Sequence, residues 1–492
     1  MDPIVTLACG QVRGRGADGV RAFLGIPYAV APVGPALFAA PAPVPPWHGV
    51  RDAVQVSPTP PQAPYPPPFA ELLDNPVIPG ADFLTVNVWA PDGEVRGLPV
   101  LVWLPGGAFR NGSNAIPFYD GTAFARDGVV LVTVNYRLGA PGFAVLPDAP
   151  DNRGLLDQLA ALRWVRDNIG AFGADPERVT VFGESAGAMS VATLLTVPAA
   201  RGLFRRAIMQ SGSAGAVADR ADAAKVTAEL AGLLGVEPTA RGLSAVEPAA
   251  LIEAQTTVAT QLQANPDPAR YGATVIARGL GIMSLFPVLD GTLITELPMA
   301  AIEAGAGADL DLMIGTNTDE FRFFTVPTGA TAAVTAEMLP ALAAARGWPA
   351  GAVERYTANR PDAAPGDVWC AITTDEVFRA PSARIARSHA AHGRTYLYEF
   401  AWPSGVSGLG ACHALEIPFV FDTLDKKATA ALAGPNPPQA LADRMHAAWV
   451  AFATTGDPGW PRFEPDGRTV MTFADPADTL IEDPRGDELA LW

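Results

Sequence analysis

The sequence predicts an α/β fold, a mainly parallel sheet covered by helices on both faces, with helical insertions. Three observations carry this. Short apolar runs at residues 100–104 (VLVWL), 129–134 (VVLVTV), 179–182 (VTVF), 207–209 and 310–314 (LDLMI) have the length and character of buried strands, and 396–400 is a further candidate. Between the second and third runs, Leu155, Leu159, Leu162, Val165 and Ile169 recur at the spacing of an amphipathic helix. Strands separated by helical stretches need crossovers that cover the sheet on both sides.

The remaining segments fit around that frame. Residues 20–28 (VRAFLGIPY) alternate in part between apolar and polar, with turn signals on both sides, and read as a hairpin region. Residues 57–69 (SPTPPQAPYPPPF) are too proline-rich for helix or central strand and are expected to form an ordered surface loop or flap. From about 220 to 280 the chain turns helical and alanine-rich, the pattern of an insertion between core strands. No repeat or charged linker divides the chain, so 1–492 is read as one domain. Gly14, Gly16 and Gly19 match the dinucleotide-binding pattern G-x-G-x-x-G, but a strand pattern follows where that motif requires a helix, so the segment is a hairpin turn.

Composition excludes several classes. Apolar residues make up 49% of the 492 and charged residues 17%, which suits a large globular core and not a disordered chain. A net charge of −17 repels nucleic-acid backbones and anionic lipid. No apolar run reaches the roughly 18 residues of a membrane span, and no basic segment followed by an apolar one opens the chain. Cys9, Cys370 and Cys412 are too scattered for a disulfide framework or metal cage. The expectation is a cytoplasmic, cofactor-free protein without bound metal.

The strongest chemical signal is at 180–187 (TVFGESAG). An apolar strand runs into G-x-S-x-G and a helix follows, the setting of the nucleophile elbow in an α/β-hydrolase. Ser185 would sit at a helix N-terminus, whose amides favour a developing oxyanion. A serine hydroxyl needs a base, and five histidines are present. His48 precedes the sheet, His389 and His392 suggest an exposed helix face, and His446 falls in a helical pattern. His413, late in the chain in a glycine-rich loop after a candidate strand, fits the order Ser, acid, His. The acid lies in 315–320 (GTNTDE), just past an apolar strand, where Asp319 and Glu320 are equivalent by spacing. Residues 105–109 (PGGAF) follow the VLVWL strand and suit an oxyanion loop, with Ala186 as the donor after the nucleophile.

With these motifs in place, the chain resembles the type-B carboxylesterases, the branch that includes cholinesterases and bacterial p-nitrobenzyl esterases. The resemblance covers nearly the whole chain: 23–29 (FLGIPYA), 87–89 (NVW), 134–138 (VNYRL), 172–176 (FGADP), the elbow, and 452–458 (FATTGDP) appear in matching order. It implies Glu320 as the acid, with Asp319 in reserve, and supports His413 through 412–419 (CHALEIPF). It implies Gly107, Ala108 and Ala186 as oxyanion donors, Ser211 as a serine bonded to the acid, and Glu184 as a carboxylate beside the site. Gly281 and Met283, with Phe109, would border the substrate pocket. Aromatic residues stand at the first two positions in cholinesterases, so a roomier acyl pocket is implied here.

The sequence also departs from the family pattern. Pro105 stands where relatives have His or Tyr, Phe321 replaces a glycine after the acid, and Phe83 replaces a cysteine. Leu37 and Ala81 replace both members of a salt bridge, which costs less than leaving one charge buried alone. The implied function is a serine carboxylesterase for small to medium neutral esters. A carbamate or activated-amide hydrolase is the alternative, and a non-catalytic binding module a third reading. Its partner would be a small-molecule ester, with neither nucleic acid nor membrane.

Overall fold

The computed structural model describes residues 2–93, 95–465 and 467–492. Its centre is an eleven-stranded sheet: β1 (Arg15–Ala17), β2 (Val20–Pro27), β3 (Thr85–Pro91), β4 (Leu98–Leu104), β5 (Val130–Val134), β6 (Ala174–Glu184), β7 (Arg206–Gln210), β8 (Asp311–Asn317), β9 (Thr395–Phe400), β10 (Thr469–Phe473) and β11 (Thr479–Glu482). Their order is β11-β10-β9-β8-β7-β6-β4-β5-β3-β2-β1. The pairings from β5 through β4 and β6 to β10 are parallel, while the strands at both margins are antiparallel. This is the α/β-hydrolase arrangement. All six apolar runs of the sequence lie in or overlap parallel strands. The 14–19 glycine segment is the β1–β2 hairpin.

Side chains alternate across the sheet, as the two-residue period of a strand requires. Val100, Val102 and Leu104 of β4 join one buried cluster with Leu155, Leu159 and Leu162 of α1 (Arg153–Asn168). Leu101 and Trp103 join the other with Leu441, Met445 and Trp449 of a late helix, Gln439–Thr455. Each face is therefore covered by helices. Between β7 and β8 the chain forms Arg220–Leu234, Pro248–Ala264 and shorter helices. Among the described residues no helix is long and apolar enough to cross a membrane.

The order β4-β6-β7 matters most for function. After β4 the chain leaves to one side to make β5, then returns to make β6 and β7 on the other. The C-terminal ends of β4 and β6 flank this reversal, where open α/β sheets form a crevice. Leu104 pairs with Gly183 across it.

One buried ion pair clamps the nearby loops. The backbone N and Nε of Arg137, just past β5, donate to Asp157 Oδ2 at 3.0 and 2.8 Å, and Nη2 to Oδ1 at 2.7 Å. Nη1 donates to the carbonyls of Leu37 and Ala39. Leu37 thus joins the clamp through its backbone. Asp157→Ala strands a buried guanidinium, so it should lower stability by about 3–5 kcal/mol. The exposed Arg13–Asp52 pair is the control, and Arg13→Ala should change stability by no more than about 1 kcal/mol. Urea midpoints of the two variants test this, and an unmoved midpoint for Asp157→Ala would contradict it.

Candidate active site

β6 ends at Glu184, and α2 (Ala186–Leu194) begins two residues later. The reversal requires Ser185 at φ 55° and ψ −122°, a conformation costly for a non-glycine residue. A Cβ on Gly183 would lie 2.7 Å from the Leu104 carbonyl, and one on Gly187 only 2.0 Å from it. A Cβ on Gly106 would lie 2.7 Å from the Glu184 carbonyl and 3.2 Å from Ser185 Cβ. The three glycines therefore let the loop after β4 rest on the elbow. Ser185 stays partly exposed while its neighbours are buried.

Glu320 lies beyond β8, fully buried. Its Oε1 accepts from Ser211 Oγ at 2.6 Å and from the Asn317 amide at 2.7 Å, while Oε2 lies 2.6 Å from His413 Nδ1. Asp319 points elsewhere: it accepts from the Ala411 amide at 3.1 Å and faces Arg322 at 3.6 Å. Geometry thus separates two carboxylates that spacing could not. Phe321 has φ −73°, so the missing glycine after Glu320 leaves no backbone strain.

The His413 ring packs against Phe378 at 4.7 Å and Phe324 at 5.2 Å. Its Nε2 lies 3.0 Å from Glu184 Oε1, and no hydrogen bond from Ser185 Oγ is present among the described residues. Burial disfavours a charged imidazole, but Glu184 and Glu320 outweigh it and hold the His413 pKa well above 6.5. Glu184 is itself raised, chiefly by burial. The histidine is thus bracketed by two carboxylates, one on each ring nitrogen.

A third buried carboxyl lies behind this pair. Glu416 accepts from Gln210 Nε2 at 3.0 Å and from Asn317 Nδ2 at 2.7 Å, and Trp449 Nε1 donates to Gln210 Oε1 at 3.1 Å. Burial, with Glu184 and Glu320 nearby, pushes its pKa to about 8. Sequence reasoning assigned no role to Gln210, Asn317, Glu416 or Phe378. Glu416 was inside the quoted 412–419 segment, and strict burial was the missing signal. Phe378 lies in a π-type turn, Asp375–Arg379, which no hydrophobic period announces.

The backbone amides of Gly107, Ala108 and Ala186 make no hydrogen bond among the described residues, and Ala108 and Phe109 adopt φ near 55°. Phe109 is wholly buried, with its ring 5.0 Å from Phe143. Met283 is also buried, whereas Gly281 is exposed with open space beside it. The proline-rich segment reaches both sides of the site. Gln62 exchanges two hydrogen bonds with Gly112, the Ala63 carbonyl accepts from Asn111, and the Phe69 ring lies 5.5 Å from Phe323.

The other histidines lie in different surroundings. His48 and His392 are exposed, and His446 is buried with Nδ1 2.8 Å from the Val420 carbonyl. His389 is a correction. It was expected on an exposed helix face, yet it is buried, with its two ring nitrogens at Thr395 Oγ1 and the Gly307 carbonyl. Among the described residues, no cluster of three potential metal-ligating His, Cys, Asp or Glu side chains occurs.

Neutralising Glu184 removes an anion 3.0 Å from the imidazole and lowers its pKa. A base acts only when unprotonated, so Glu184→Gln should move the acid limb of kcat/KM to lower pH. Rate profiles of both proteins test this, and a limb that stays in place or moves upward contradicts it.

Comparison with known proteins agrees with this architecture over the full length. The sequence profile of the "Carboxylesterase family" matches residues 1–492. A para-nitrobenzyl esterase of Bacillus subtilis (strain 168) is 37% identical, covering 99% of this chain and 97% of its own. A phenmedipham hydrolase of Pseudarthrobacter oxydans is 33% identical, covering 98% and 97%. The crystal structure of the Geobacillus stearothermophilus carboxylesterase EST55 superposes with a TM-score of 0.85 at 36% identity, covering 99% of both chains. With its elbow, carboxylate-bound histidine and open amides carried on this sheet, the chain belongs to the carboxylesterase family and is a carboxylic ester hydrolase of its type-B branch.

Proposed function

We propose that the chain hydrolyses small to medium neutral carboxylic esters through an acyl-enzyme on Ser185. His413 removes the Ser185 proton as the hydroxyl attacks the ester carbonyl, then returns it to the leaving alcohol. Glu320 fixes the ring tautomer and stabilises the imidazolium, with Ser211 bonded to its other oxygen. The amides of Gly107, Ala108 and Ala186 receive the oxyanion, where each donor is worth roughly 3 kcal/mol of transition-state stabilisation. Water then releases the acyl group by the same route.

The observation that carries this reading is the pairing of a strained, partly exposed Ser185 with unengaged amides on both sides of it. The resting contact of His413 Nε2 with Glu184 makes the approach to Ser185 Oγ a step that accompanies substrate binding. Catalytic hydrogen bonds often tighten only in the complex. Glycine at 281, where cholinesterases carry an aromatic residue by the resemblance, supports a roomy acyl side. The net charge of −17 favours small neutral substrates over polyanions, and three unpaired cysteines fit a reducing, cytoplasmic compartment.

Initial rates on p-nitrophenyl acetate, butyrate and octanoate test the proposal. Wild type should turn over all three, and Ser185→Ala should lose roughly 10⁴-fold or more in kcat. Retained activity in Ser185→Ala would remove the acyl-enzyme. Wild-type activity confined to the acetate would remove the roomy pocket. Phenmedipham belongs in the same panel because a full-length relative bears that name.

A further inference from the structure

The loop that carries the open amides ends in a charge that the reaction above does not use. Arg110 stands two residues past Ala108, and Ala108 and Phe109 before it both adopt φ near 55°. The Arg110 amide donates back to the Gly107 carbonyl at 3.0 Å, which closes a tight turn and keeps Arg110 beside the open amides. Phe109 is turned into the core, whereas Gly107, Ala108 and Arg110 stay half-buried.

The Arg110 side chain runs along the proline-rich flap. Its Nε lies 3.4 Å from Asn111 Oδ1, and Asn111 Nδ2 donates to the flap carbonyl of Ala63 at 2.7 Å. Tyr65, two residues further along the flap, is half-buried, and its hydroxyl makes no hydrogen bond among the described residues. Burial pushes the Tyr65 pKa up to about 12, with Arg110 opposing the rise and Glu184 adding to it. The hydroxyl is therefore within electrostatic reach of both groups. Glu184 in turn lies 3.0 Å from His413 Nε2 and adjoins Ser185. Tyr65 thus links the Arg110 guanidinium to the catalytic residues.

What this group lacks is an anion. Among the described residues Arg110 has no ion pair, and neither of its terminal nitrogens makes a hydrogen bond. Burial draws its pKa down, and only Tyr65 opposes the fall. On a chain with 51 acidic residues against 34 basic ones, a half-buried guanidinium with no carboxylate at hand is out of keeping. A charge partly removed from water without a partner is costly. Perturbed groups of this kind beside a reactive centre mark ligand sites.

We propose that Arg110, with Tyr65 beside it, receives a second, ionised carboxylate on the substrate, so that half-esters of dicarboxylic acids are bound and cleaved alongside neutral esters. The inference rests on the Ser185 site proposed above and extends its range of substrates. The planar guanidinium fork matches a carboxylate, and the Tyr65 hydroxyl adds a further donor. Glu184 acts on Tyr65 but not on Arg110, so the guanidinium stands farther from Ser185 than Tyr65 does. A spacer of several methylenes between ester and carboxylate would cover that reach and keep the anion clear of Glu184.

The probes are monomethyl adipate and methyl adipamate, which differ only in carrying a carboxylate or an amide at the far end. Ligand-observed NMR titration of Ser185→Ala measures their binding without turnover. Monomethyl adipate should bind at least about ten-fold more tightly. Adding Arg110→Gln should abolish that preference, and Arg110→Lys should keep part of it. Arg110→Glu should instead favour methyl 6-aminohexanoate, a reversal that a merely structural role for Arg110 would not produce. Arg13→Gln, at an exposed pair, controls for general surface charge and should leave the preference in place. With Ser185 present, Arg110→Gln should lower the ratio of kcat/KM for the two esters at least about ten-fold, chiefly through KM. No preference for the anion in Ser185→Ala, or a preference that survives Arg110→Gln, would overturn the proposal. Intact binding preference with neither ester turned over by wild type would count against the acyl-enzyme and leave the Arg110 assignment standing.

Discussion

The active-site geometry hangs on a main-chain contact that leaves no room for a Cβ. The carbonyl of Leu104 lies where side chains on Gly183 and Gly187 would be, and the loop that follows presses Gly106 against the Glu184 carbonyl and Ser185. Strand β4, strand β6 and helix α2 thereby meet at backbone distance. Packing at that distance brings the free amides of Gly107, Ala108 and Ala186 and the Ser185 hydroxyl, the proposed oxyanion donors and nucleophile, to one crevice. Nothing softer would hold them, since interiors are close-packed and relax only in part. The strain at Ser185 is sustained because residues 179–184 of the strand before it and the whole helix after it are buried.

A second constraint is electrostatic. Glu184, Glu320 and Glu416 are all buried within one neighbourhood, and a single histidine sits among them. Three unshielded anions could not coexist there. The site resolves this by giving each a different condition. Glu320 is held by Ser211 and the Asn317 amide, Glu184 faces the imidazole, and Glu416 accepts from the Gln210 and Asn317 side-chain amides while burial pushes its pKa up to about 8. Titratable groups driven apart in this way mark acid–base machinery.

What the sequence disclosed follows from which interactions are local. The elbow is contiguous, so strand, serine and helix were readable at 180–194, and the parallel strands β4 to β9 announced themselves as short, mainly apolar runs. β10 and β11 were not read from the sequence, since marginal strands are short and half exposed. Glu320 and Asp319 are adjacent in sequence and diverge only in space, where Asp319 turns to the Ala411 amide. His389 looked like a surface residue because its partners, Gly307 and Thr395, come from separate segments. The Asp375–Arg379 turn was invisible for the same reason: its role exists only where Phe378 meets the His413 ring.

The most direct test of the account is to trap its intermediate. Enzyme mixed with a slowly deacylating ester and quenched in acid should show, by peptide mass spectrometry, one acyl group on the peptide carrying Ser185, and none in Ser185→Ala. An acyl group on another residue, or turnover of that ester with no covalent species at any quench time, would contradict it.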